Sequence, residues 1–200
     1  MNEYNVKKVC GAPDWSKIEK LNIDTPYDQT PAEITANAQI CYNDDGFLVH
    51  LETKEAVIRA VEKGPLGMPC EDSCLEFFFR PVAEDPRYVN IEFNSNGCLY
   101  LGIATGRADA LRIVPDEPEA IFSPDIKFFD GGWEIYYTVP FEFIRRFYPD
   151  FKAEAGKSFY ANCYKCADFS TPPHYLSWNP ITTELDFHQP AMFGKMNFVE

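Results

Sequence analysis

The chain has 200 residues, 46% of them apolar and 16% aromatic, with a formal charge of -13 and an isoelectric point near 4.6. That length suits one domain spanning 1–200 with a full core, and so acidic a chain excludes nucleic acid and anionic membranes as expected partners, since both are held by Lys and Arg. No stretch reaches the apolar length of a membrane span, the first ten residues carry no export signal, and seven cysteines without the density of a disulfide scaffold favour a reducing, cytoplasmic setting.

Aromatic residues at this level favour pleated, half-buried surfaces, so a β fold is expected. Residues 34–55 predict a hairpin, in which "ITANAQICY" and the alternating "FLVHLET" flank the turn Asn43, Asp44, Asp45, Gly46. Residues 56–73 hold two glycines and two prolines and read as a long connection, either functional or poorly ordered. Residues 74–80 then place Leu75, Phe77 and Phe79 on one face and Glu76, Phe78 and Arg80 on the other. Residues 88–94 repeat the alternation, with Val89, Ile91 and Phe93 opposed to Asn90, Glu92 and Asn94, and "NSNG" turns the chain into "CLYLGIAT". A second hairpin joins "DIKFF" to "WEIYYTV", and Pro140 opens a short helical turn closed by Pro149. Residues 158–167 alternate again, setting Tyr160, Asn162 and Tyr164 opposite Phe159, Ala161 and Cys163, and "AMFGKMNFVE" gives a last strand. The sum is an all-β chain, an antiparallel β-sandwich with one short helix.

Glu76 and Glu92 thus share a surface opposite the core, together with Phe78, Arg80, Asn90, Tyr136, Tyr160, Asn162 and Tyr164. Rings mixed with amides and carboxylates suit a ligand with apolar C–H faces and hydroxyl rims, as a pyranose has. A plain solvated face, with a cross-strand pair such as Arg80 and Glu92, is the alternative.

The segments "DSCLEFFF", "YVNIEFNSNGCLY", "GGWEIYYTVPFEFI" and the stretch from "YANCYKC" through "HYLSWNPI" to "FHQPAMFGKMNF" resemble the family 9-like carbohydrate-binding modules from about residue 34 onward. The resemblance implies a non-catalytic domain that binds a mono- or oligosaccharide or a chain end within a glycan-degrading system. It implies Trp178 as a stacking platform and Glu76, the glutamate of the "DSxxE" strand, as hydroxyl acceptor; the face read from the alternation adds Arg80, Asn90, Glu92, Asn162 and Tyr164 as its polar rim, with His188 as a further ligand contact. The loop before Glu76 lacks the tryptophan that would form a second stacking wall. The resemblance also allows a structural calcium, for which the acidic turn at Asp44 and Asp45 could supply oxygens, although a plain hairpin turn accounts for the same residues. No other cofactor is expected.

Cys163 and Cys166 form a C-x-x-C inside an alternating strand, where residues three apart face opposite ways; a zinc site recruiting Cys70 and Cys74 would require the strand to break, so the thiols read as buried or incidental. His174 and His188 flank Trp178 and read as residues that order its loop, while His50 reads as structural. Two rival functions remain: glycoside hydrolysis by Glu76 and Glu92, and a protein-interaction module docking through the aromatic face.

Overall fold

The computed structural model describes residues 1–27 and 30–200. In chain order its strands are β1 (Glu3–Lys8), β2 (Leu21–Ile23), β3 (Thr25–Tyr27), β4 (Thr35–Tyr42), β5 (Gly46–Lys54), β6 (Cys74–Arg80), β7 (Tyr88–Asn94), β8 (Leu99–Ala104), β9 (Leu111–Ile113), β10 (Asp125–Phe129), β11 (Gly132–Pro140), β12 (Ser158–Ala167), β13 (His174–Ser177) and β14 (Gly194–Val199). Two short helices, α1 (Pro118–Phe122) and α2 (Phe141–Arg145), join them.

The expected all-β class holds, but the sheet is mixed and continuous. It runs β10-β11-β5-β4-β1-β14-β12-β6-β7-β8-β9 and curls on itself, instead of forming two separate antiparallel layers. The seam is β1, which pairs in parallel with β4 on one side and with β14 on the other. Its "EYNVKK" shows only two apolar residues among charged ones, too short an alternation to stand out, yet Tyr4 and Val6 are both buried.

Curling brings the inward faces of both halves into one core. Phe47 of β5 packs against Phe77 and Phe79 of β6, Phe141 of α2, Phe159 of β12 and Phe198 of β14, with ring centroids 5.2–6.2 Å apart. Such offset and edge contacts each add about 0.5–1.5 kcal/mol beyond area burial. The helical turn expected after Pro140 is α2; the additional helix α1 starts at a proline in its first turn.

The β4–β5 turn closes locally. Asn43 Oδ1 accepts from the backbone N–H groups of Asp45 and Gly46, both at 2.9 Å, and Asp44 pairs with Lys8 at 2.7 Å. These bonds close the hairpin locally.

The connection 56–73 is tied down by Asp72. This fully buried carboxylate accepts from the backbone N–H groups of Val61 and Glu62 and from Asn94 Nδ2, at 2.7–2.8 Å, and is paired with Arg59. Arg112 staples the same segment from the other side by donating to the carbonyls of Leu66 and Gly67, and it also bonds the Leu99 carbonyl of β8.

Candidate functional site

The outward face of β12, β6, β7 and β8 is not open to solvent. The segment 178–193 folds back over part of it, and Phe78, Tyr88, Tyr164, Phe187 and Phe193 form a second small cluster there. Beside that cluster lies a cavity of about 320 Å³, within the small end of the roughly 300–1,000 Å³ range of ligand pockets. Glu76, Glu92 and Cys166 lie at its floor, Met68, Cys70 and Tyr100 on one wall, Tyr175, Leu185, Phe187 and His188 on another, and Arg107, Asp168 and Asp186 complete the lining.

Glu76 and Glu92 face each other directly across β6 and β7. Both are nearly inaccessible, at 2% and 5% exposure. Glu76 Oε1 is 2.9 Å from the Cys166 thiol, and Oε2 has no partner. Burial, reinforced by the charge of Glu92, pushes the Glu76 carboxyl well above the ordinary range. Burial also raises Glu92, to about 7, against the pull of its hydrogen bond from Asn90 Nδ2 at 2.7 Å and the positive charges of Arg107 and Arg112. Asp168 is likewise raised by burial.

His188 contributes a neutral ring, its pKa lowered to about 4 by burial and the nearby Arg107 charge. Its Nδ1 lies 2.7 Å from the Tyr88 hydroxyl. Assigning the hydroxyl as donor leaves Nε2 protonated and available as a donor. Arg107 is held by Asp186 at 2.8 Å, and Arg112 stacks on Tyr100 at 4.6 Å.

Of the residues expected from sequence, Glu76, Glu92 and His188 line the cavity. Asn90 is one step removed and orients Glu92; there is no room for a side chain at Gly102, where a Cβ would fall 2.1 Å from Asn90 Oδ1. Tyr164 supports the wall, stacking on Phe187 at 4.1 Å and donating to the Phe187 carbonyl at 3.1 Å. Asn162 is a fully buried clamp: Nδ2 donates to the Asn179 carbonyl at 2.9 Å, and Oδ1 accepts from the Asn179 N–H at 2.8 Å. Arg80 lies at the end of β6, over the Tyr160 ring at 4.7 Å, and is absent from the cavity lining. Tyr136 belongs to the other half of the sheet, where it stacks on His50 at 4.1 Å.

Trp178 departs furthest from expectation. It is 6% exposed and belongs to the main core, edge-on to Tyr4 at 6.5 Å. Its ring fills the space that Gly194 leaves by lacking a side chain, since a Cβ there would meet it at 2.6 Å. The expected stacking platform is therefore a packing residue, and the aromatic surfaces the cavity offers are those of Tyr100, Tyr175 and Phe187.

Sequence reasoning missed Tyr100, Arg107, Asp168, Tyr175, Asp186 and Phe187. Only Tyr100 had a readable signal: counting back through the "NSNG" turn places it opposite Glu92, as the structure does. The rest sit on loops or on the short β13, whose approach to the cavity follows from tertiary folding.

The sequence profile described as carbohydrate-binding family 9 matches residues 12–198. No curated protein matches the chain significantly. Among solved structures, a protein of Bacteroides uniformis ATCC 8492, provisionally described as carbohydrate-binding, superposes with a TM-score of 0.82 at 30% identity, over 98% of each chain. A carbohydrate-binding module of family 9 from Caldicellulosiruptor kristjanssonii, in complex with glucose, gives a TM-score of 0.69 at 13% identity over 98% of this chain and 95% of that one. Its complex with cellotriose gives the same score and identity over 99% and 94%.

Proposed function

Because the chain belongs to carbohydrate-binding family 9, we propose that the cavity floored by Glu76 and Glu92 is its sugar site, taking a mono- or disaccharide or the end of a longer glycan and releasing it unchanged. The observation that carries this reading is Glu76 Oε2, a buried polar atom without a partner at the floor of the cavity. An unmet buried acceptor is costly, and a sugar hydroxyl would satisfy it. Glu92 offers a second acceptor, His188 Nε2 a donor, and Tyr100, Tyr175 and Phe187 supply the ring faces that C–H surfaces favour. The Caldicellulosiruptor module is held with glucose and cellotriose, so glucose and cello-oligosaccharides are the first ligands to test. Service within a glycan-degrading system is part of the same proposal.

Binding is favoured over hydrolysis by the two carboxyls because the family to which the chain belongs is a carbohydrate-binding one. Docking of a flat protein surface fits less well, because the face is concave and its floor carries carboxylates.

Calorimetric titration with glucose, cellobiose, cellotriose and a broader sugar panel, in the presence of chelator, tests the proposal. We expect saturable binding in the micromolar to millimolar range and a loss of roughly three- to tenfold in Glu76→Gln, the worth of one buried hydrogen bond. A folded wild-type chain that binds no sugar of the panel, or a Glu76→Gln chain with unchanged affinity, would overturn it.

A further inference from the structure

We propose that Cys74, Cys166 and Glu76 form a binding site for a thiophilic divalent cation, zinc foremost, at the floor of the cavity, to which Glu76 and Cys166 contribute and behind which Cys74 lies buried. Cys74 and Cys166 face each other across β6 and β12, and Glu76 lies two residues beyond Cys74 on the same face. One ligand atom from each lies within 4.8 Å of the others, with the Cys166 sulfur already 2.9 Å from Glu76 Oε1. Tetrahedral zinc, with bonds of ~2.3 Å to sulfur and ~2.0–2.2 Å to oxygen, sets its ligand atoms roughly 3.5–3.8 Å apart, so Cys166 and Glu76 part slightly to admit the ion within the 4.8 Å span of the cluster. The strand does not break to bring the thiols together. Cys163, the other half of the C-x-x-C, points into the main core and takes no part.

The second observation is charge. Glu55, the buried carboxylate on the far side of the same sheet, comes with its cation built in: Lys165 lies 3.2 Å away and His174 3.3 Å away. Glu76 and Glu92 have no ion pair among the described residues, and Glu76 Oε2 is buried without any partner and faces the cavity. A buried carboxyl is normally protonated, paired or coordinated to a metal. Here the sheet supplies ligands on central strands without an ion-paired cation among the described residues, the Arg107 and Arg112 charges acting on Glu92 without forming an ion pair with it.

Two sulfurs and one oxygen select a borderline-soft ion over calcium or magnesium, which take all-oxygen shells. On binding, each thiol and the Glu76 carboxyl give a proton to solvent, each sulfur gives a lone pair to the metal, and Glu76 coordinates as the carboxylate. The fourth position opens to the cavity, where water or a ligand hydroxyl completes the tetrahedron.

The test uses the 200-residue chain, reduced, stripped of metal by chelator and free of sugar, titrated with Co2+ and then Zn2+. We expect one Co2+ per chain with a thiolate-to-cobalt charge-transfer band in the near ultraviolet, displacement of that band by one equivalent of Zn2+, and a rise in Tm with Zn2+. Cys74→Ser and Cys166→Ser should each abolish the band, Glu76→Gln should weaken Co2+ binding at least tenfold, and Cys10→Ser, at an exposed thiol, should change nothing. Absence of the band in the folded wild-type chain overturns the proposal whether or not the serine variants fold, as does a band that survives Cys166→Ser or disappears in Cys10→Ser. The sugar titrations run in chelator, so either reading can fail without the other.

Discussion

Glu92→Gln should stabilise the fold, and by an amount set by pH. Glu92 is raised from 4.5 to about 7, and a shift of that size at 1.36 kcal/mol per unit corresponds to roughly 3 kcal/mol. A carboxyl whose folded value lies above its unfolded value contributes its stability below about pH 4.5 and loses it as pH rises through about 7. The wild-type penalty is therefore below about 1 kcal/mol at pH 5 and roughly 3 kcal/mol at pH 8. The amide removes it at every pH, while its oxygen can still accept from Asn90 Nδ2. Relief of the repulsion on Glu76, directly opposite, acts in the same direction. At pH 8 the gain amounts to about 6–12 °C in Tm for a chain of this size. Urea denaturation in chelator at pH 5, 6, 7 and 8 measures it. A difference between variant and wild type that does not grow with pH would refute the reasoning, as would a variant less stable than wild type at pH 8.

The opposite sign is expected at the other buried carboxylate. Burial alone would raise Glu55, but hydrogen bonding to His174, the Lys165 charge and the Ser73 hydroxyl bring it below its ordinary value, so its contribution exists above about pH 4.5 and fades as pH falls further. Glu55→Gln should cost about 3–5 kcal/mol at pH 7, because it strands Lys165, and less at pH 3 in the same urea titration. Gly102→Ala should displace Asn90 and with it Glu92, lowering sugar affinity by calorimetry several-fold; unchanged affinity would show that Asn90 does not orient the site. Trp178→Phe should destabilise the chain by about 1–3 kcal/mol yet leave sugar affinity within about twofold, and a folded variant that has lost binding would return Trp178 to the site.

The bounds of β6, β7 and β12 were legible because each alternates cleanly between the core and another face, and a period of two leaves no freedom in register. The same rule, pressed further, puts Cys74 on the face of Glu76 and Cys166 on that of Tyr164, so the paired thiols at and behind the cavity floor were also within reach of the sequence. Short strands were not: β2, β3 and β9 hold three residues each and are defined by their partners. The role of Trp178 was hidden for a different reason. An aromatic residue in a proline-rich loop can turn outward or inward, and what turns it inward is the missing side chain of Gly194, a fact of packing sixteen positions away. Parallel pairing at β1 is likewise invisible, because no local pattern distinguishes a strand's direction relative to partners so distant in the chain.

That seam also governs the order in which the molecule can be completed. Glu3 pairs with Lys195 and Lys7 with Val199, so the bond between the two halves of the sheet joins segments that lie almost a whole chain apart. Each half can form its hairpins locally, as β4–β5 and β6–β7 do, but the curl closes only when the last strand arrives beside the first. Contacts of such separation slow folding, because the entropy of closing the loop is lost before the contacts return anything. Until β14 docks, β1 and β12 keep unpaired edges, and in that interval the chain is most open to pairing with another copy of itself.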